Sequence, residues 1–114
     1  MKDDRLYVEH ILECIGRIQG YCRIEEATFF ESPVVQDAVL RNLQILTESA
    51  TRLSPDLKAS CPEVDWKGVA GFRNVLVHDY LGINLRRVWE IVRLDLPALQ
   101  AQIAAIRDNL PNAQ

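Results

Sequence analysis

Pro33-Val-Val-Gln-Asp-Ala-Val-Leu-Arg-Asn-Leu-Gln-Ile-Leu-Thr-Glu-Ser-Ala-Thr-Arg-Leu53 spaces its apolar residues as a helix does and shows no strand-like alternation. At 100° per residue, Val34, Val35, Ala38, Val39, Ile45, Leu46, Ala50 and Leu53 fall within one broad stripe. Asn42 and Ser49 lie inside that stripe and therefore need buried partners. Asp37, Arg41, Gln44 and Glu48 line the opposite edge, where the plain reading is a solvated face with i,i+4 pairing. Two starts fit this helix. Thr28-Phe-Phe-Glu31 has capping-box spacing, and Ser32-Pro33 offers Ser at the N-cap with Pro at the first helical position. The helix is expected to stop before Ser54-Pro55.

Working outward, the segment from about Asp3 to Glu26 places Ile11, Leu12, Ile15, Ile18 and Cys22 on one side at helical period. Ser60-Cys-Pro62 breaks the chain, and Asp65 can cap a third helix from Trp66 to about His78. After a turn at Leu81-Gly82-Ile83, Asn84 is placed to cap a fourth helix from Leu85 to about Leu94. Asp95-Leu-Pro97 starts or kinks a fifth, with Leu99, Ile103, Ile106 and Leu110 on its apolar side. Long helices followed by shorter ones with brief connections describe an all-α antiparallel bundle of four to five helices. At 114 residues the whole chain, 1–114, reads as a single domain.

Composition narrows the function. The chain is 48% hydrophobic and 25% charged, which argues against disorder. No apolar run approaches the roughly 20 residues needed to span a bilayer, and the charged start Met1-Lys-Asp-Asp-Arg5 is no secretory signal, so a cytoplasmic location is expected. Three cysteines, Cys14, Cys22 and Cys61, make an odd count without C-x-x-C spacing, which suits free thiols. His10 and Cys14 are four apart on one helix, yet no four-ligand set emerges; neither metal nor other cofactor is expected. A net charge of −3 argues against a broad electrostatic nucleic-acid binder, while leaving room for an enzyme that engages a few phosphates.

On the third helix, pattern and residue type disagree. With Trp66 at zero, Phe72, Leu76, Val69, Val77 and Ala70 span an arc from about 240° through zero to about 40°, and Arg73 lands at about 340°, inside it. A guanidinium there must be buried with a partner, for which Glu48 is one choice, or must emerge at an interface or cleft lined by apolar groups. Asn74 and His78, four residues apart, share another face, with Gly71 between them and Lys67 one turn below. Glycine is costly inside a helix, which suggests close approach by another backbone or a ligand. His78 near the helix end is favoured as imidazolium by the helix dipole.

Together these residues spell Arg73-Asn-Val-Leu-Val-His78-Asp-Tyr80. The string resembles the R-x4-H signature of the HEPN superfamily, in the extended R-x4-H-x-Y form of its HepT-like toxins. Pro62-Glu-Val-Asp-Trp66, Leu81-Gly-Ile83, Val88-Trp89 and Leu96-Pro97 follow the family's order, and Gln36-Asp-Ala38, Arg41 and Glu48-Ser-Ala50 match its second helix. Where the family often has Gly before that Glu, this chain has Thr47. The resemblance runs from about residue 3 to residue 107.

What it implies is a homodimer with both R-x4-H motifs facing one cleft, cutting RNA without metal. It also implies a small nucleotidyltransferase antitoxin (MntA-like) that transfers AMP onto the tyrosine, here Tyr80. The chemistry agrees. His78 can act as base or acid, Arg73 offers a planar fork to phosphate oxygens, and Asn74 can orient His78 or donate to the phosphate. Since each chain has one motif histidine, base and acid come from two protomers. Glu48, Arg41, Lys67 and Arg86 are candidates for support or RNA contact; Arg93 shares the polar side of the fourth helix with Arg86. The competing reading is a non-catalytic HEPN-type docking or regulatory partner of a nucleotidyltransferase.

Overall fold

The computed structural model describes residues 2–22, 25–76 and 82–111. Seven α-helices follow one another there: α1 (Lys2–Cys22), α2 (Glu26–Glu31), α3 (Pro33–Arg52), α4 (Pro55–Ser60), α5 (Trp66–Leu76), α6 (Leu85–Glu90) and α7 (Leu96–Asn109). A single π turn, Ile91–Asp95, joins α6 to α7. All regular structure among the described residues is helical, as expected of an all-α bundle.

The helix ends show why the chain divides where it does. Ser32 Oγ accepts from the Val35 N–H at 3.2 Å with Pro33 in the first turn, so the second of the two proposed starts for α3 is the one used. The same Ser-Pro chemistry recurs at Ser54-Pro55. There the sequence reading saw only a stop, but Ser54 Oγ accepts from the Leu57 N–H at 3.1 Å and opens the short helix α4. Proline ends the preceding helix and pre-sets the first turn of the next. Asn84 caps α6 as expected, accepting from the Arg87 N–H at 3.1 Å.

The expected start or kink at Asp95-Leu-Pro97 is a widened turn that leads into α7 at Leu96. The Leu96 N–H donates to the carbonyl of Ile91, five residues back. In a regular helix Pro97 would crowd the carbonyl of Arg93 and leave it without a donor; widening the turn relieves the crowding and keeps the axis running.

Side-chain contacts between distant ends set the topology. Asp4, at the start of α1, accepts from the Ser54 N–H at 2.8 Å and from its hydroxyl at 2.7 Å, just beyond the end of α3. Arg5 donates to the carbonyls of Leu110 and Pro111 at the end of α7, while Gln19 meets Gln100 near its start. Helix α1 therefore runs antiparallel to both α3 and α7, and α5 packs on α3.

The core is closed by Val8, Ile11, Ile15 and Ile18 of α1 against Val39, Leu43 and Leu46 of α3 and Ile103 of α7, each 0–1% exposed. The α3 stripe is rotated slightly from its expected position. Leu43 and Thr47 are buried, whereas Val34, in the first turn, is 79% exposed. Asn42 is buried as expected, and its amide donates to the Ala38 carbonyl at 2.9 Å. Its Oδ1 has no partner among the described residues, so the partner expected for it is found on one side only.

The cysteines are free thiols, Cys14 and Cys22 buried and Cys61 half-buried. No metal-binding group of His, Cys, Asp and Glu occurs among the described residues, and no helix there is long and apolar enough to cross a membrane. Burial pushes the Cys22 thiol up to about 11. For Cys14 burial also dominates and raises it, with Arg17 pulling the other way and Glu13 adding to the rise. A raised acid pKa contributes stability that is whole below the unfolded thiol value and is lost as pH climbs through the folded one. Stability is therefore expected to fall between about pH 9 and 11. At pH 8, alkylation should mark Cys61 first, with Cys14 and Cys22 reacting only as the fold opens, which peptide mass spectrometry reads directly.

Candidate active site

Three anchors hold α5 in place. Asp65 Oδ1 accepts from the Gly68 N–H at 2.9 Å, which caps the helix as expected. A Cβ at Gly68 would lie 2.3 Å from the other carboxylate oxygen, so a side chain there would displace the cap. Trp66 Nε1 donates to the Cys61 carbonyl at 3.0 Å, and Val69 and Phe72 are buried in the core.

This anchoring fixes which way the chemistry-bearing residues face. Val69 and Phe72 turn one side of α5 inward, with Leu76 half-buried beside them. Arg73, Ala70, Asn74 and Lys67 are exposed. The apolar arc of this helix is thus wider than the part the chain itself covers. Arg73 takes the second of its two expected placements and emerges at a cleft instead of being buried in the core.

That cleft is a groove of about 660 Å³ between α3 and α5. Arg73 and Leu76 line it from α5; Arg41, Glu48, Thr47 and Arg52 line it from α3. The structure therefore brings together Arg73, Arg41 and Glu48 of the residues singled out from sequence. Glu48 is not the ion-pair partner of Arg73, for among the described residues no salt bridge joins them. Instead Arg41 donates to Gln44 at 3.5 Å and Gln44 donates to Glu48 at 3.3 Å, a relay along one face of α3. Thr47 is buried and its hydroxyl donates to the Leu43 carbonyl at 2.8 Å.

Arg52 was missed. Its signal was available: it stands four residues after Glu48 and eleven after Arg41, offsets that share a helix face. Asn74 and Lys67 sit on α5 outside the residues lining the groove. Arg86 lies elsewhere, paired with Glu26 and 4.7 Å over the Phe30 ring. Arg93 lies 5.8 Å over the Trp89 ring. His78 and Tyr80 lie outside the described residues.

Beyond its chain neighbours and the backbone of its own helix, no atom of the described residues comes within 4 Å of a Cβ built at Gly71, so whatever close approach that glycine serves is not made by another part of the described fold. Gly71→Ala is expected to stabilise the isolated fold by about 0.5–1 kcal/mol, since alanine loses less entropy in a helix. Urea unfolding measures this. A more stable variant that cuts RNA less well would place the close approach in the substrate or a second chain.

A family model described as "Ribonuclease HepT-like" matches residues 11–106. A protein named "Putative RNase TTE0752", from Caldanaerobacter subterraneus subsp. tengcongensis, is 36% identical over 107 residues, covering 93% of this chain and 96% of its own. "Probable ribonuclease HepT" from Thermococcus cleftensis is 33% identical over 102 residues, 89% of this chain and 93% of its own. A protein from Methanocaldococcus jannaschii named "Gamma-glutamylcyclotransferase and putative RNase MJ0434" is 36% identical over 110 residues. These residues are 96% of this chain, which thus spans about half (50%) of that relative's length. No solved structure is a significant match.

Proposed function

The chain belongs to the ribonuclease HepT-like family, and we propose that it is a metal-independent endoribonuclease, the toxin of a toxin–antitoxin pair. In this reading two copies associate so that both Arg73–His78 motifs face one cleft. One His78 takes the proton from a ribose 2′-hydroxyl as O2′ attacks the adjacent phosphorus. The P–O5′ bond breaks, and His78 of the partner subunit gives a proton to the departing oxygen. The products are a 2′,3′-cyclic phosphate and a 5′-hydroxyl, and no metal or oxidant enters the balance. Arg73 stabilises the charge that gathers on the phosphate oxygens, usually the larger share of such catalysis. Asn74 orients His78 or donates to the phosphate. A nucleotidyltransferase antitoxin switches the enzyme off by adding AMP to Tyr80.

The observation that supports this reading is the placement of Arg73. It is exposed at a groove, with no carboxylate in salt-bridge range among the described residues, although its position on α5 would have allowed burial. The test is incubation with total tRNA and mRNA in excess EDTA, followed by analysis of the new ends. Cleavage leaving cyclic phosphate and 5′-hydroxyl is the expected result. No cleavage by protein whose intact mass carries no added nucleotide would favour the docking-module reading instead.

A further inference from the structure

The arginine side chains of the described residues sort into two groups; of the lysines, Lys58 donates to the Thr51 carbonyl and Lys67 is exposed on α5 outside the groove. Arg17 pairs with Glu13, Arg86 with Glu26, Arg87 with Glu90 and Asp95, and Arg107 with Asp108. Arg5 is spent on the carbonyls at the end of α7, and Arg93 lies over Trp89. Arg41, Arg52 and Arg73 have no carboxylate within salt-bridge range among the described residues, and all three line the one groove between α3 and α5. On a chain of net charge −3, this gathers three guanidinium groups against one carboxylate, Glu48, among the described residues. Walls of low dielectric concentrate such a field toward an anion.

The spacing suits a strand better than a lone anion. Arg41 and Arg52 are eleven residues apart on α3, about 16 Å along the axis, the length of about four or five phosphates in a stacked strand. Arg73 faces them from α5. Each guanidinium is a planar fork matched to phosphate oxygens, and Gln44, exposed on the same wall, has a second amide N–H beyond the one it gives to Glu48.

We propose that the α3–α5 groove is the track for the RNA backbone leading away from the cleavage point, with Arg52 and Arg41 holding phosphates about four or five apart along the strand and Arg73 at the catalytic end. The proposal rests on the ribonuclease reading above. It assigns Arg52 and Arg41 to binding and leaves the bond-breaking step to Arg73 and His78. Glu48, held by Gln44, sits between the two phosphate contacts and limits how tightly the strand is gripped.

The test is binding of a mixed-sequence 2′-O-methyl oligoribonucleotide, which lacks the attacking hydroxyl, across a series of salt concentrations. Arg52→Ala and Arg41→Ala are each expected to weaken binding several-fold and to lower the slope of log Kd against log salt by about 0.7, the signature of one lost phosphate contact on a single strand. Arg52→Lys keeps the slope, Glu48→Gln tightens binding, and Arg17→Ala, on the outer face of α1, changes nothing. Light scattering accompanies each variant. The proposal is overturned if the slope is unchanged in both alanine variants, or if they lower the oligomeric mass, which would make the groove an interface between copies. Unchanged slopes beside intact EDTA-resistant cleavage would sink this inference alone. A wild-type protein that neither binds nor cleaves RNA would take the ribonuclease reading with it.

Discussion

Replacing His78 with alanine is expected to reduce RNA cleavage in EDTA by about 10²- to 10⁴-fold, with the helical circular dichroism and unfolding midpoint little changed. The size follows from what one substitution removes. In a homodimer with a shared cleft the variant loses the base on one side and the acid on the other, so both proton transfers must use water. A second measurement separates this arrangement from two independent sites. After subunit exchange at constant total protein, activity should follow the square of the wild-type fraction, about a quarter at equal mixing, because mixed dimers keep only one imidazole. Independent sites would leave about half. Linear dilution would remove the chemical reason for dimerisation; an unaffected cleavage rate would remove His78 from the mechanism.

Arg73 bears on the same result from the other side. Arg73→Lys keeps the charge but loses the planar fork, so cleavage should still fall substantially while binding of the uncleavable oligonucleotide is largely kept. A loss confined to binding would instead place Arg73 with Arg41 and Arg52 along the strand.

Much of this architecture was legible, and the parts that were not have particular causes. The third helix was readable down to its Asp65 cap because cap, periodicity and tertiary burial agree there. The stop before Ser54-Pro55 is found as expected, but the start of α4 there was not legible, because one dipeptide ends a helix and begins another and the buried Asp4 carboxylate that holds Ser54 lies fifty residues away in sequence. No local pattern contains that contact. The turn before Pro97 shows a similar limit: proline announces a missing donor, but widening the helix answers it as well as breaking the helix does.

At the site, the conflict between Arg73 and its apolar neighbours drew attention to that residue, and the structure resolves the conflict by exposing it at the groove. Arg52 escaped notice because an arginine near the end of an amphipathic helix is ordinary until the opposite wall of a groove is seen. The roles of His78 and Tyr80 were drawn from the likeness of the motif to a family pattern and from imidazole chemistry, and both residues lie outside the described part of the fold.

Phe29→Ala is expected to be the most damaging core substitution, costing about 3–5 kcal/mol, a large share of the roughly 5–15 kcal/mol that stabilises a domain of this kind. Helix α2 has six residues, too few to persist alone in water, so side chains must hold it. Phe29 is 0% exposed and meets Trp89 with ring centroids 5.3 Å apart and Phe30 edge-on at 5.1 Å. The outer contacts depend on it: Gln36 Nε2 reaches the carbonyls of Phe29 and Phe30 at 3.0 and 3.2 Å, and Glu26 pairs with the Arg86 that lies over Phe30. These polar groups are exposed or half-buried and contribute little once the ring that positions them is gone. The variant's melting temperature should drop by about 10–20 °C, and Phe29→Leu, which keeps most of the volume, by a third of that or less. The functional consequence follows from what α2 touches. It packs on α6, and α6 begins just after the segment that bears His78 and Tyr80. Cleavage by Phe29→Ala should therefore be lost several degrees below the temperature at which bulk helicity melts. Coincident loss of helicity and cleavage would mean that α2 supports the bundle as a whole and does nothing particular for the motif.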